Sequence, residues 1–215
     1  MRVVLAISLD GRIAKFKGDK TQLGKEGDRK VLEEALSWSD ATLMGGETLR
    51  QHQSTCLIHN EKLINDRIRQ KKTQQPTSIV ISNQKGFANN FPFFSQPISR
   101  WLITSCESID NKNIYDRIIP LKESWSEMLS NLSKIGISNL LILGGAKLIE
   151  SLLLEDQINE LQLTIVPKLL GGDIIWTPKR INNLPKVLSK SDSWVLKENI
   201  LLGNNEIMLR YYRNK

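Results

Sequence analysis

The segment from Asn139 to Ile149, NLLILGGAKLI, is a short apolar run that breaks at two glycines and resumes with helical spacing. It reads as a strand, a tight turn and a helix start. Gly144 and Gly145 let the backbone come close to a ligand there, and the first amides of the following helix favour an anion above the turn. A pair of glycines between strand and helix is also an ordinary turn of an α/β protein, so its meaning rests on what accompanies it.

The chain's 215 residues suit one domain spanning residues 1–215, large enough to bury a core. No apolar run approaches the roughly 20 residues of a membrane span. The N-terminal MRVVLAI reads directly into a strand and is too short for a secretory signal, so a soluble, cytoplasmic protein is expected. Cys56 and Cys106 lie 50 residues apart without metal-ligand spacing, which predicts free thiols and no metal site. The net charge of +7 comes from basic residues spread along the chain, with no interleaved basic and aromatic patch, so no nucleic-acid partner is expected. Such a charge suits phosphorylated small molecules.

Strands are predicted at residues 2–8, 41–44, 77–81, 100–104, 139–143, 160–166 and 206–212. Val31, Leu32, Ala35 and Leu36 line a helix starting near Asp28 as N-cap. Trp125, Met128, Leu129, Leu132 and Ile135 line a second, capped by Ser124 and stopped by Gly136; Leu148, Ile149, Leu152 and Leu153 line a third. Residues 61–72 read as a charged helix whose Arg67, Arg69, Lys71 and Lys72 form a solvated face. Residues 86–97 read as an irregular loop. Beyond Glu160 no long helix is expected, and the alternation of Leu161, Leu163, Ile165 with Ile207, Leu209, Tyr211 predicts antiparallel strands. The fold class is α/β: a mostly parallel central sheet with helices on both faces and antiparallel C-terminal strands.

Four glycine-bearing turns follow strand-like runs: Ser8 to Ala14 (SLDGRIA), Met44 to Leu49 (MGGETL), Gly144 to Lys147 (GGAK) and Pro167 to Asp173 (PKLLGGD). In an open α/β sheet such turns gather at the carboxyl ends of parallel strands, where ligands bind, so two of them are expected to face one dinucleotide. This is not the Gly-x-Gly-x-x-Gly arrangement, and no acidic ribose-binding residue follows at the usual distance.

These four motifs, with Asp40-Ala41 ahead of the second and Val166 ahead of the fourth, resemble the RibD C-terminal reductase family over about residues 1 to 176. That family has the dihydrofolate reductase fold. The resemblance implies NADPH as cofactor, a homodimer, and reduction of the ribosyl group of a phosphoribosylaminopyrimidine to a ribityl chain. It carries cofactor positions onto Ala6, Gly45, Gly46, Thr48, Gly144, Gly145, Ala146, Lys147 and Leu148, within a run extending to Ser151. It places substrate positions at Asp10, Lys20 and Gln22, with Lys20 able to pair with a substrate phosphate. Asp10, Lys20 and His52 are the candidates for proton transfer or orientation, although no spacing singles one out.

Departures from the family pattern fall on the substrate side. Leu36 stands where an Arg is usual, Leu143 where a Glu is usual, and Arg50 to Ser54 replaces an Asp-x-Pro segment. Each buried polar partner lost costs on the order of 1 to 3 kcal/mol of recognition. Three other readings therefore stand beside the first: a dihydrofolate reductase-like enzyme whose ring-binding carboxylate is Asp28, a noncatalytic NADPH-binding relative, and a nucleic-acid-binding module marked by steep salt dependence.

Overall fold

Short apolar runs rich in Ile, Leu and Val, separated by helices with one apolar stripe, bury themselves most completely as parallel strands beneath helices. The computed structural model describes residues 1–16, 18–19, 23–177 and 184–215. Along the chain these form β1 (Arg2–Ser8), β2 (Arg12–Ala14), α1 (Glu26–Trp38), β3 (Ala41–Gly45), α2 (Gly46–His52), α3 (Glu61–Arg69), β4 (Thr77–Ile81), β5 (Arg100–Thr104), β6 (Arg117–Pro120), α4 (Trp125–Lys134), β7 (Leu140–Ile142), α5 (Ala146–Leu154), β8 (Glu160–Val166), β9 (Ile174–Ile175), β10 (Trp194–Gly203) and β11 (Glu206–Arg213). Two compact units result: residues 1–32 with 142–215, and residues 33–141.

In the unit of residues 33–141, β3, β4, β5 and β6 pair in parallel in that order, with Ala41 opposite Thr77, Ser78 opposite Arg100 and Trp101 opposite Arg117. Leu43, Ile79, Leu102 and Ile103 are fully buried, as strands covered on both faces must be. Leu36 is buried among this unit's core residues. The Glu33 carboxylate accepts from the amides of His59 and Asn60 at 2.9 Å each, and Asn60 caps α3 by accepting from the Lys62 and Leu63 amides. Ser124 caps α4, and Gly136 follows it with φ +91°.

Arg67 is a correction to the solvated face expected on α3: only 1% of it is exposed. Its Nη1 donates to the carbonyls of Leu36, Ser37 and Ser39 at 3.0, 3.0 and 2.6 Å, and its Nε donates to Thr73 at 2.8 Å. Lys72 donates to the Trp38 carbonyl and pairs with Asp40 at 3.0 Å. These two cations satisfy the orphan carbonyls at the end of α1. Arg69, 3.0 Å from Asp66, and Lys71 are exposed, as expected of a solvated face.

In the unit of residues 1–32 and 142–215, β1 and β8 are parallel, β8 and β11 antiparallel, and β11 and β10 antiparallel. The expected antiparallel C-terminal strands are present. β10 was not legible because its apolar residues stand side by side in the sequence, as at Val195-Leu196 and Ile200-Leu201-Leu202, and register shifts at Leu196/Glu198 and Leu201/Gly203 break its alternation. β6 was missed because it is four residues long and ends at Pro120. Another correction concerns α1, which begins at Glu26, so Asp28 lies in its first turn and is no N-cap. Residues 86–97 are irregular apart from one 3-10 turn at Pro92–Phe94. Close packing of α1 on β10 needs Gly27, whose Cβ would lie 2.4 Å from the Leu202 carbonyl oxygen.

Candidate functional site

The turn after β7 is built for close approach. Gly144 and Gly145 have φ of +105° and +101°, a region that side-chain-bearing residues rarely enter. Gly145 precedes α5 with φ 101° and ψ 102°, and no side chain caps the helix start. The first intrahelical bond runs from the Ile149 amide to the Gly145 carbonyl, leaving the amides of Ala146, Lys147 and Leu148 without a protein acceptor among the described residues. Three open amides at a positive dipole end form an anion cradle. Lys147 is exposed and Leu148 buried, so the backbone of this run, rather than all its side chains, faces outward.

The turn after β3 is tight for another reason. A Cβ on Gly46 would lie 2.8 Å from Ser82 Oγ, 2.9 Å from Ser82 Cβ and 3.2 Å from the Phe87 ring, so only glycine fits beneath the loop after β4. Gly45 is extended at φ −73° and ψ 149°, and Thr48 is half-buried in the first turn of α2. Arg50 pairs with Glu47 at 3.0 Å, donates to Gln84, and lies 5.6 Å over the Phe87 ring. His52 is exposed at the last position of α2.

Asp10 is a staple. It accepts from Ser8 Oγ at 2.5 Å and from the amides of Leu170 and Gly171 at 3.1 and 2.8 Å, and lies 3.6 Å from Arg12. The hydroxyl of Ser8 and then the Gly171 amide hold its carboxyl well below the usual carboxylate range. An acid so fixed in its ionised form is a poor proton donor, and its oxygens serve to join the first and fourth glycine motifs. Lys20 and Gln22 lie outside the described residues.

A second carboxylate has the opposite character. Asp28 is raised above its usual range, chiefly by burial and further by Glu206, against a hydrogen bond donated by Thr164. Gly24 makes room for it, since a Cβ there would sit 2.0 Å from Asp28 Oδ2. Glu206, 2% exposed, accepts from the Lys25 amide at 3.3 Å. Ala6 is the register partner of Thr164, so Ala6, Thr164 and the Asp28 carboxylate share one face of the sheet. Thr164 and Glu206 were not singled out from sequence. The signal was there: Gln162 and Thr164 are the polar half of the β8 alternation, and that half is buried while Leu163 and Ile165 are only half-buried.

With this geometry in place, comparison with known proteins identifies the family. Residues 1–202 match the model of the RibD C-terminal domain. The chain is 24% identical, over 98% of its length, to the riboflavin biosynthesis protein RibD of Haemophilus influenzae, and spans 58% of that relative's length. It matches the fold of a pyrimidine reductase-like protein from Corynebacterium diphtheriae with a TM-score of 0.81 at 18% identity, covering all of this chain and 91% of the other. It also matches a dihydrofolate reductase from Enterococcus faecalis, solved with NADP(H), with a TM-score of 0.53 at 15% identity, covering 100% and 96% of the two chains. The fold is therefore dihydrofolate reductase-like, and the chain belongs to the RibD C-terminal domain family.

Proposed function

We propose that residues 1–215 act as one domain, a cytoplasmic NADPH-dependent reductase of the riboflavin pathway that converts the ribosyl side chain of a 5-amino-6-(5-phosphoribosylamino)uracil-like pyrimidine to ribityl. The observation that carries this is the Gly144–Gly145 turn with the open amides of Ala146, Lys147 and Leu148, in a chain of this family. The NADP(H) complex of the Enterococcus enzyme supports the choice of cofactor. Uncapped amides beside glycines at positive φ fit a pyrophosphate. When bound, the nicotinamide supplies the hydride. The chain's own task is alignment and exclusion of water. Ala6, lacking bulk, leaves room for a flat ring beside Thr164. Asp10 fixes the two loops that border this face. The test is hydride transfer from NADPH to the pyrimidine in the purified protein, with ribityl product identified by mass.

One observation favours a second reading of the ring contact. The Asp28 carboxylate with its Thr164 donor suits a heterocycle edge presenting two N–H donors, as a 2-amino-4-oxo pyrimidine or a pteridine does, better than the 2-oxo edge of a uracil. Asp28→Asn is expected to lower kcat/KM about a hundredfold, as a buried polar match is lost, with NADPH affinity within twofold of the parent. The stability readout has its own sign. Folded Asp28 keeps its proton to higher pH than the unfolded chain does, so it costs stability as pH rises from the usual carboxylate range through the raised folded value. Asp28→Asn removes that loss, and urea midpoints across pH would show a flatter profile than the parent. An unchanged profile with unchanged kcat/KM sinks this role.

The homodimer implied by the family finds support on the other face of the same sheet. Ile165 and Ile207, Leu163 and Leu209, and Leu161 and Tyr211 are register partners, and Leu201, 83% exposed, lies opposite Ile207. A continuous apolar strand face of this kind suits a second copy. Leu201→Asp is expected to shift the protein to monomer in sedimentation experiments at micromolar concentration. A parent that sediments as a monomer would count against the assembly. Among the described residues no helix is long and apolar enough to cross a membrane.

A further inference from the structure

Thr42 and Ser78 interrupt two otherwise apolar strands, and each is only 1% exposed. They are register partners on the parallel strands β3 and β4, so they stand side by side on one face of the sheet. Neither hydroxyl has a hydrogen-bond partner among the described residues. The other buried serines and threonines of the unit of residues 33–141 are all served: Ser39 donates to the Leu36 carbonyl at 2.9 Å, while Ser82 and Thr104 accept from the amides of Gln84 and Cys106 at 3.2 and 3.0 Å. Thr55 and Tyr115 also lack a side-chain partner, but both lie outside the strands, with no ladder to set a second hydroxyl opposite them. A buried hydroxyl left unpaired is costly, and two at one register would be worse than apolar side chains of the same shape.

The surrounding side chains are committed elsewhere. Arg100, the partner of Ser78 on β5, continues the same row, but its Nε donates to the Phe93 carbonyl at 3.1 Å and its Nη2 to that of Gln96 at 2.5 Å. The next row toward the carboxyl ends, Met44, Val80 and Leu102, is apolar and buried. Paired strands run about 4.8 Å apart, a gap that one water spans when it lies about 2.8 Å from each of two hydroxyls. We infer that Thr42 and Ser78 hold one buried water molecule between β3 and β4. Water both donates and accepts, so it satisfies the two hydroxyls whichever way their protons turn. The site is independent of the reductase reading. It ties together the two strands that lead to the Gly45–Gly46 turn and to Ser82, which meet where a Cβ on Gly46 would lie 2.8 Å from Ser82 Oγ.

The experiment has two arms, both on the full chain. In the parent, water-to-protein magnetisation transfer measured by NMR at the Thr42 and Ser78 protons reads a long-lived water directly. The expected result is cross-peaks from water to both residues, and none to Leu43 or Ile79, whose side chains face the other side of the same strands. The second arm compares urea midpoints of the parent, Thr42→Val, Ser78→Ala and the double variant. Each single variant removes one of the water's two anchors and should lower the midpoint by about 0.5 M. The double variant leaves no hydroxyl to serve, so its midpoint should fall by clearly less than the two single losses together. Absence of water cross-peaks at both residues would overturn the assignment, and so would a direct bond between the two hydroxyls seen in a high-resolution crystal structure. Single variants as stable as the parent, or losses that simply add in the double variant, would overturn it as well.

Discussion

Gly145→Ala is expected to weaken NADPH binding by a hundredfold or more while leaving a folded protein. At φ 101° and ψ 102° a side chain adds strain of order 1 to 3 kcal/mol, and the turn relieves it by rotating. Rotation moves the amides of Ala146, Lys147 and Leu148 away from the direction in which they jointly meet an anion. Binding then either forgoes those hydrogen bonds or bears the strain of restoring the turn. The variant should keep the parent's far-ultraviolet circular dichroism and lose cofactor fluorescence quenching. Affinity within threefold of the parent would show that the cradle is only a turn. Gly46→Ala serves as a second probe, because its Cβ meets Ser82 and Phe87, part of the loop after β4, rather than open space.

Arg67→Ala is expected to cost about 3 to 5 kcal/mol of stability, the largest single effect foreseen outside the glycine turns. The side chain is buried and serves four carbonyls, those of Leu36, Ser37, Ser39 and Thr73. Truncation removes a donor from three carbonyls at the end of α1 and from that of Thr73, and opens a cavity where the guanidinium lay. Arg67→Lys should recover less than half of the loss, since an ammonium cannot reproduce the planar fork. Urea unfolding gives both values. A loss under about 1 kcal/mol would mean that water replaces the guanidinium readily.

The contrast between Arg67 and Asp28 shows where sequence reading runs out. Strands at 77–81, 100–104 and 160–166 coincide with β4, β5 and β8 because their apolar runs end in clear turn residues. Ser124 and Gly136 bound α4 through chemistry that is local by nature. Arg67 looked like any other cation on a charged helix. Its burial comes from the carbonyls of α1, some 30 residues earlier in the chain, and no local pattern announces that. β10 was hidden because apolar neighbours such as Val195 and Leu196 interrupt the alternation and register shifts follow at Leu196/Glu198 and Leu201/Gly203. Among the site residues, the glycines were legible because positive φ and tight contact each demand that one residue type. Asp10 was legible as important but not as a staple, since its partners at Leu170 and Gly171 lie 160 residues away. Thr164 needed the opposite step: recognising that the polar half of a strand faces inward once a carboxylate arrives from α1.

The most direct test of the reductase reading is a turnover assay with the purified protein, NADPH and the phosphoribosylaminopyrimidine, offered both as the 2-oxo uracil and as its 2-amino counterpart. The expected result is loss of reduced-nicotinamide absorbance in step with formation of a ribityl product from at least one of the two, with NADH a poor substitute. Tight NADPH binding with no hydride delivered to either ring would contradict it and leave a cofactor-binding relative that performs no reduction.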